Sequence, residues 1–259
     1  MGVKIIFEDK DLLVLDKPAG MIVNRSDTTK GEVTLQDWVE EYLVIPNSFR
    51  NLKQVKSEMP KQVQQDIAKT DFYNRAGIAH RLDKETSGII LVAKAPEAFI
   101  NLQRQFKERK VQKTYIALAH GEISPKTGEV NVSVGRLPWN RKRFGILSGG
   151  RESQTAYEVL SVKHYALGKN RESLSLVKLF PKSGRTHQIR VHLQYIKHPI
   201  FADLLYAGRK TSRQDRELLP RIFLHASKIS FFHPENNKLL TFESPLPQDL
   251  VNFLTRLNV

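Results

Sequence analysis

The chain has 259 residues, 40% hydrophobic and 26% charged, which is enough apolar material to bury a sizeable core and excludes both disorder and a minimal peptide module. Lysine and arginine number 41 against 27 acidic residues, a formal net charge of +14. That surplus is the footprint of a chain that meets a polyanion, since each cation seated on a phosphate releases a counterion; solubility alone is the plain alternative. Cysteine is absent, which excludes disulfides, thiolate metal sites and a cysteine nucleophile, and no apolar run approaches the ~20 residues of a membrane-spanning helix.

The N-terminal stretch reaches Lys4, Glu8 and Asp9 too early to form the apolar centre of a signal peptide, so a soluble, cytoplasmic protein is expected. Short apolar runs at Ile5–Phe7, Leu12–Leu15 and Met21–Val23, broken by turn residues, predict strands. Thr34 opens a helix whose Leu35, Trp38, Val39 and Tyr42 share one face, and Pro46 ends it. The polar stretch 47–75 reads as a surface insertion. Strand character returns at Ile89–Ala93, and Pro96 starts a helix striped by Phe99, Leu102 and Phe106. Strands are predicted at Thr114–Ala119 and around 130–134, 155–162, 174–180 and 222–232, with helices from about Thr186 to Pro199 and from Gln248 to Leu257. Strands outnumber helices and several connections are too short for crossovers. The expected class is therefore α+β, a mixed, largely antiparallel central sheet flanked by helices, in one domain over 1–259 with no separate N-terminal domain.

Two stretches hold more polar chemistry than a core or a plain surface needs. The first, His80-Arg81-Leu82-Asp83-Lys84-Glu85-Thr86-Ser87-Gly88, runs straight into the apolar strand. The second, Lys182-Ser183-Gly184-Arg185-Thr186-His187-Gln188-Ile189-Arg190-Val191-His192-Leu193, places a glycine and a cluster of donors at a helix start, a construction suited to anions. A charged turn and a basic amphipathic helix are their bland counterparts. A protein-kinase reading of His80–Asp83 fails because neither a glycine-rich loop nor an Asp-Phe-Gly triplet is present. His187 and His192 stand about 140° apart around a helix, not on the single face a zinc pair requires, so no metal is expected.

At these stretches the chain resembles a known family. His80 to Lys94 is similar to the catalytic motif of RluA-type RNA pseudouridine synthases, and Val14-Leu15-Asp16-Lys17-Pro18-Ala19-Gly20-Met21 resembles that family's opening motif. Lys113-Thr114-Tyr115-Ile116-Ala117-Leu118 resembles its tyrosine-bearing strand, and Gly184 to Leu193 its third motif. Leu224-His225-Ala226, His233-Pro234 and Ser244-Pro245-Leu246-Pro247 resemble its C-terminal strands. All of these matches stand in the family's order.

The resemblance implies a cofactor-free isomerase that detaches a uracil from its ribose, rotates it and rejoins it through carbon. By similarity Asp83 is the essential carboxylate, Arg190 the cation that pairs with it, and Tyr115 the ring that stacks on the flipped base and takes part in proton transfer. Arg81 matches the arginine that fills the gap left by the flipped base, with His80 beside it, and Leu82 and Ile189 are expected to wall the pocket. Arg185, His187 and Lys113 are expected RNA contacts. Between strands, Arg136-Leu137-Pro138-Trp139-Asn140-Arg141-Lys142-Arg143-Phe144 mixes cations with aromatics, as a loop gripping folded RNA does, or as a solvated hairpin. Arg209, Lys210, Arg213 and Arg216 form a second basic segment with the same two readings. The family's usual Asp-x-x-Tyr-Gly appears as Asp203-Leu204-Leu205-Tyr206-Ala207-Gly208. The expected partner is ribosomal or transfer RNA, and the expected state a monomer. A non-catalytic RNA-binding protein of the same fold and a hydrolytic RNA glycosylase are the competing readings.

Overall fold

The computed structural model describes residues 2–26, 31–43, 70–167 and 170–257. The first 23 residues of the expected 47–75 insertion lie outside these, and 70–74 are helical. Strands are β1 (Lys4–Glu8), β2 (Leu12–Lys17), β3 (Ser87–Ala93), β4 (Gln112–His120), β5 (Thr127–Asn131), β6 (Val134–Arg136), β7 (Phe144–Ile146), β8 (Gln154–Leu167), β9 (Asn170–Pro181), β10 (Leu224–Phe232) and β11 (Leu239–Glu243). Helices are α1 (Leu35–Tyr42), α2 (Pro96–Lys107), α3 (Gln188–Tyr195), α4 (Arg209–Leu218) and α5 (Gln248–Arg256). The chain forms two compact units, Met1–Val111 with Ser230–Phe242, and Gln112–Ile229 with Glu243–Val259.

In the first unit β1, β2 and β3 pair antiparallel. Every residue of β3 is buried, as its unbroken apolar run requires of a strand covered on both faces. Thr34 caps α1 as expected: its hydroxyl accepts from Asp37 N–H, and Asp37 returns a bond to the Thr34 backbone. Pro96 is the first residue of α2, where its missing N–H costs nothing. Met21–Val23, expected as a strand, is not one. The carbonyls of Ile22 and Val23 instead accept the N–H groups of Leu35 and Gln36, satisfying the open first turn of α1.

In the second unit residues 224–229 of β10 lead the order β10-β4-β9-β8-β5, with β8 and β9 a long antiparallel hairpin. Strand β4 shows the period-two logic plainly. Ile116 and Leu118 enter a core with Phe201, Phe223, Leu250 and Phe253, while Ala117 and Ala119 enter another with Val177, Leu179, Ile189 and Leu193. Helix α5 thus covers one face and α3 the other. The observed class is the expected one, α+β with a mostly antiparallel sheet flanked by helices. Helix α3 begins two residues later than expected because His187 adopts a left-handed φ of 57°. Helix α4 was not foreseen: it carries no apolar stripe, and its buried residues are Ser212 and Asp215.

Candidate active site

The Asp83 turn is pinned by the opening motif. Register places Lys17 of β2 opposite Gly88 of β3, so the two motifs meet at one end of the strand pair. Lys17 is fully buried and donates from Nζ to the carbonyls of Pro18 (2.8 Å), Met21 (2.9 Å) and Lys84 (3.1 Å). An ammonium has three protons, and a buried one is tolerated when each finds an acceptor. Gly20, at φ 87°, sends its N–H to the same Lys84 carbonyl, and the Thr86 N–H closes the turn on the Asp83 carbonyl. Asp83 is half-buried on this fixed turn.

Its neighbours divide into fixed and free. His80 Nε2 accepts the Leu91 N–H at 3.1 Å, and its ring lies 5.0 Å from that of Phe106, so this expected RNA contact also seats the loop on β3 and α2. Leu82 is buried. Arg81 is exposed, without a hydrogen bond or ion pair among the described residues.

In the second unit Lys113 and Tyr115 sit two apart on β4 and share a face. Tyr115 lies opposite Leu179 and packs on the core that includes Ala117 and Ile189. Ile189, expected as a pocket wall, is buried in that core. Lys113 donates to the Ser183 carbonyl at 3.1 Å; burial, and then the nearby Arg185 guanidinium, push its ammonium down to about 8.

The loop before α3 is organised by Gln188, which is buried. Its carbonyl oxygen accepts from the Ser183 hydroxyl (2.8 Å) and the Arg185 N–H (3.0 Å). Its amide donates to the Gln154 carbonyl (3.1 Å) and Thr155 Oγ1 (3.0 Å), so every bonding position of the amide is used. Arg185 is half-buried beside Lys113, with its Nε enclosed and unpartnered among the described residues. His187 places Nδ1 2.9 Å from the Tyr206 hydroxyl. Burial pushes His192 down to about 4, leaving it neutral.

Arg190 forms a two-point ion pair with Asp203, Nε to Oδ2 and Nη2 to Oδ1, both 2.8 Å. Asp203 is fully buried and also accepts the Leu205 and Tyr206 N–H groups. The Tyr206 ring lies 5.0 Å from the Arg190 guanidinium and 5.3 Å from that of Arg143. Its hydroxyl accepts the Phe144 N–H, and burial raises its pKa. Sequence reasoning gave Asp203 and Tyr206 no role. The available signal was an acid directly after the apolar run Ile200-Phe201-Ala202, a place that demands a cationic partner. The basic stretch 136–144 is the β6–β7 hairpin, with Arg136 over Phe144 at 5.0 Å, Arg141 and Lys142 exposed at the tip, and Arg143 turned toward Tyr206. Among the described residues one trio, Asp9, Asp11 and His233, brings metal-type donors together, but Asp9 already bonds His233 and two backbone N–H groups.

The two units thus present a carboxylate on a braced turn, and a ring, a lysine and a fixed arginine around a braced loop. A sequence profile of the RNA pseudouridylate synthase family matches residues 11–195. The chain belongs to this family, whose members are isomerases that convert uridine to pseudouridine within RNA. Ribosomal large subunit pseudouridine synthase D of Nitrosomonas europaea is 36% identical over 97% of this chain, which spans 64% of that relative's length. An uncharacterized RNA pseudouridine synthase of Mycoplasma genitalium is 33% identical over 100% of this chain and 71% of its own. Among solved structures, human RNA Pseudouridylate Synthase Domain Containing 1 superposes with a TM-score of 0.66 at 26% identity, covering 99% of this chain and 95% of that one. The expected resemblance to RluA-type synthases is thereby borne out.

Proposed function

We propose that this chain isomerises uridine to pseudouridine in structured RNA, acting as a cytoplasmic monomer with one catalytic domain. The supporting observation is that the span matched by the family, 11–195, includes Asp83, Tyr115 and Arg190. Ribosomal RNA is favoured over transfer RNA by the names of the relatives.

The target base is extruded from its stack, at a cost of a few kcal/mol, with Arg81 filling the gap. The bond from N1 to the sugar C1′ breaks with its electron pair leaving on uracil, and the Asp83 carboxylate meets the positive charge developing at C1′. Uracil rotates, C5 bonds to C1′, the C5 proton departs and N1 takes up a proton; Tyr115 stacks on the base and serves the proton transfer, while Arg190 supplies the fixed cation. Lys113, Arg136, Arg141, Lys142, Arg143, Arg185, His187 and His80 hold the RNA, and Leu82 and Ile189 shape the pocket. No metal or cofactor takes part in these steps.

The test is tritium release from RNA labelled at uracil C5. Wild type is expected to release tritium and Asp83→Asn to lose at least about a thousandfold in rate, the scale on which removal of a reacting group acts. Release by Asp83→Asn at the wild-type rate overturns the assignment of Asp83. Free uracil in the product marks a hydrolase instead, and RNA binding without either product marks a non-catalytic binder.

A further inference from the structure

A cavity of about 540 Å³ lies in the second unit, inside the size range of ligand-binding clefts. Four arginines line it, Arg143, Arg209, Arg213 and Arg216, together with Gln194 and Ser212, and no carboxylate is among its lining residues. Three of these arginines and Ser212 belong to α4 at positions i, i+4, i+7 and i+3, a spacing that aligns them on one helical face. A stripe at that spacing is ordinarily apolar and faces a core; this one is cationic and faces a cavity.

Three of the arginines, Arg143, Arg209 and Arg213, form no ion pair among the described residues. The side chains of Arg209 and Arg213 are exposed, and their guanidinium groups make no hydrogen bond or ion pair among the described residues. Arg143 keeps an enclosed Nε with no acceptor. Arg216 anchors its Nε and Nη1 on the Ala202 and Pro220 carbonyls, which holds its guanidinium in place. Helix α4 has no acid in its first turn, and Gly208 at its N-cap also lines the cavity. Like charges crowded on one face destabilise a helix, and an anion would relieve that repulsion.

We infer that this cavity is a phosphate-binding subsite that grips the RNA backbone, its arginine forks on phosphodiester oxygens and Gln194 and Ser212 within reach of ribose hydroxyls. The inference rests on the proposed RNA substrate. The cavity shares Tyr206 with the Arg190–Asp203 pair, so a strand held here runs beside that cluster.

The test is the salt dependence of binding to a fluorescein-labelled RNA stem–loop with uridines in its loop. The double variant Arg209→Gln/Arg213→Gln removes two exposed cations that hold no other bonds. The plot of log affinity against log salt should become shallower by about 1.4 to 1.8, the release expected for two phosphate contacts. Lys126→Ala/Lys238→Ala, which removes the same charge from exposed positions elsewhere, should leave the slope within about 0.3 of wild type. An unchanged slope in the arginine variant, or equal losses in both variants, overturns the subsite. The two proposals fail separately: a shallower slope with no pseudouridine formed by wild type rejects the reaction and keeps the subsite, while pseudouridine formation with an unchanged slope does the reverse. If wild type does not bind this RNA in a salt-dependent way, the subsite is rejected.

Discussion

Asp203 is the centre of a buried bonding cluster. Its two oxygens accept both arms of the Arg190 fork and two backbone N–H groups, all in a fully buried position. The pair is one-sided in its consequences, because removing either partner strands the other as an uncompensated buried charge. Asp203→Asn keeps the shape and deletes the charge, and should lower unfolding free energy by about 3 kcal/mol in urea titrations. A loss below about 1 kcal/mol would show that water, not Asp203, satisfies Arg190. Asp83, Tyr115 and Arg190 stood out in the sequence because each sits in a run of family-like residues. For Asp203 the local pattern offered an acid after an apolar run but not its partner Arg190, and for Gln188 it did not show the distant Gln154 and Thr155 that hold its amide.

At the scale of elements, α3 combines a braced start with a buried titratable group. His192 faces the interior, and its folded pKa of about 4 lies below the ordinary value of 6.5. The unfolded chain therefore takes up this proton first as pH falls, so the stability is intact above about 6.5 and is lost progressively toward about 4, by about 3 kcal/mol in all. His192→Leu removes that term. The thermal midpoint of wild type should fall relative to that of the variant as pH is lowered from 7 to 4, and parallel curves would show that His192 does not titrate in this window. Helix α1 was legible because Thr34 and Asp37 carry its start signal locally, and β3 because an unbroken apolar run has few other uses. Helix α4 was illegible for the opposite reason: its buried positions hold a serine and an aspartate, so hydrophobic periodicity had nothing to register. Met21–Val23 has strand-like composition, yet its carbonyls are taken by the first turn of α1, a tertiary demand that propensity does not contain.

For the whole molecule, the fold class followed from the count and spacing of apolar runs, whereas the division into two compact units was not visible, since no change in composition marks it. The surplus of +14 said only that an anionic partner was plausible. Structure adds an address for part of it, four arginines around one cavity and others on the β6–β7 hairpin. Charge on the order of the whole chain governs encounter with RNA, while a few placed guanidinium groups govern grip.

The enclosed Lys17 ammonium makes the first unit its own reporter. Amine-acylating reagents need an accessible lone pair, and this nitrogen offers none while the carbonyls of Pro18, Met21 and Lys84 hold its protons. Exposed Lys84, one turn away, is acylated without any opening. In pulsed labelling read by mass spectrometry, Lys17 should be modified more slowly than Lys84 by the opening equilibrium of the turn that carries Asp83. The ratio of two lysines in one peptide map thus becomes a clock for how long that carboxylate stays aimed.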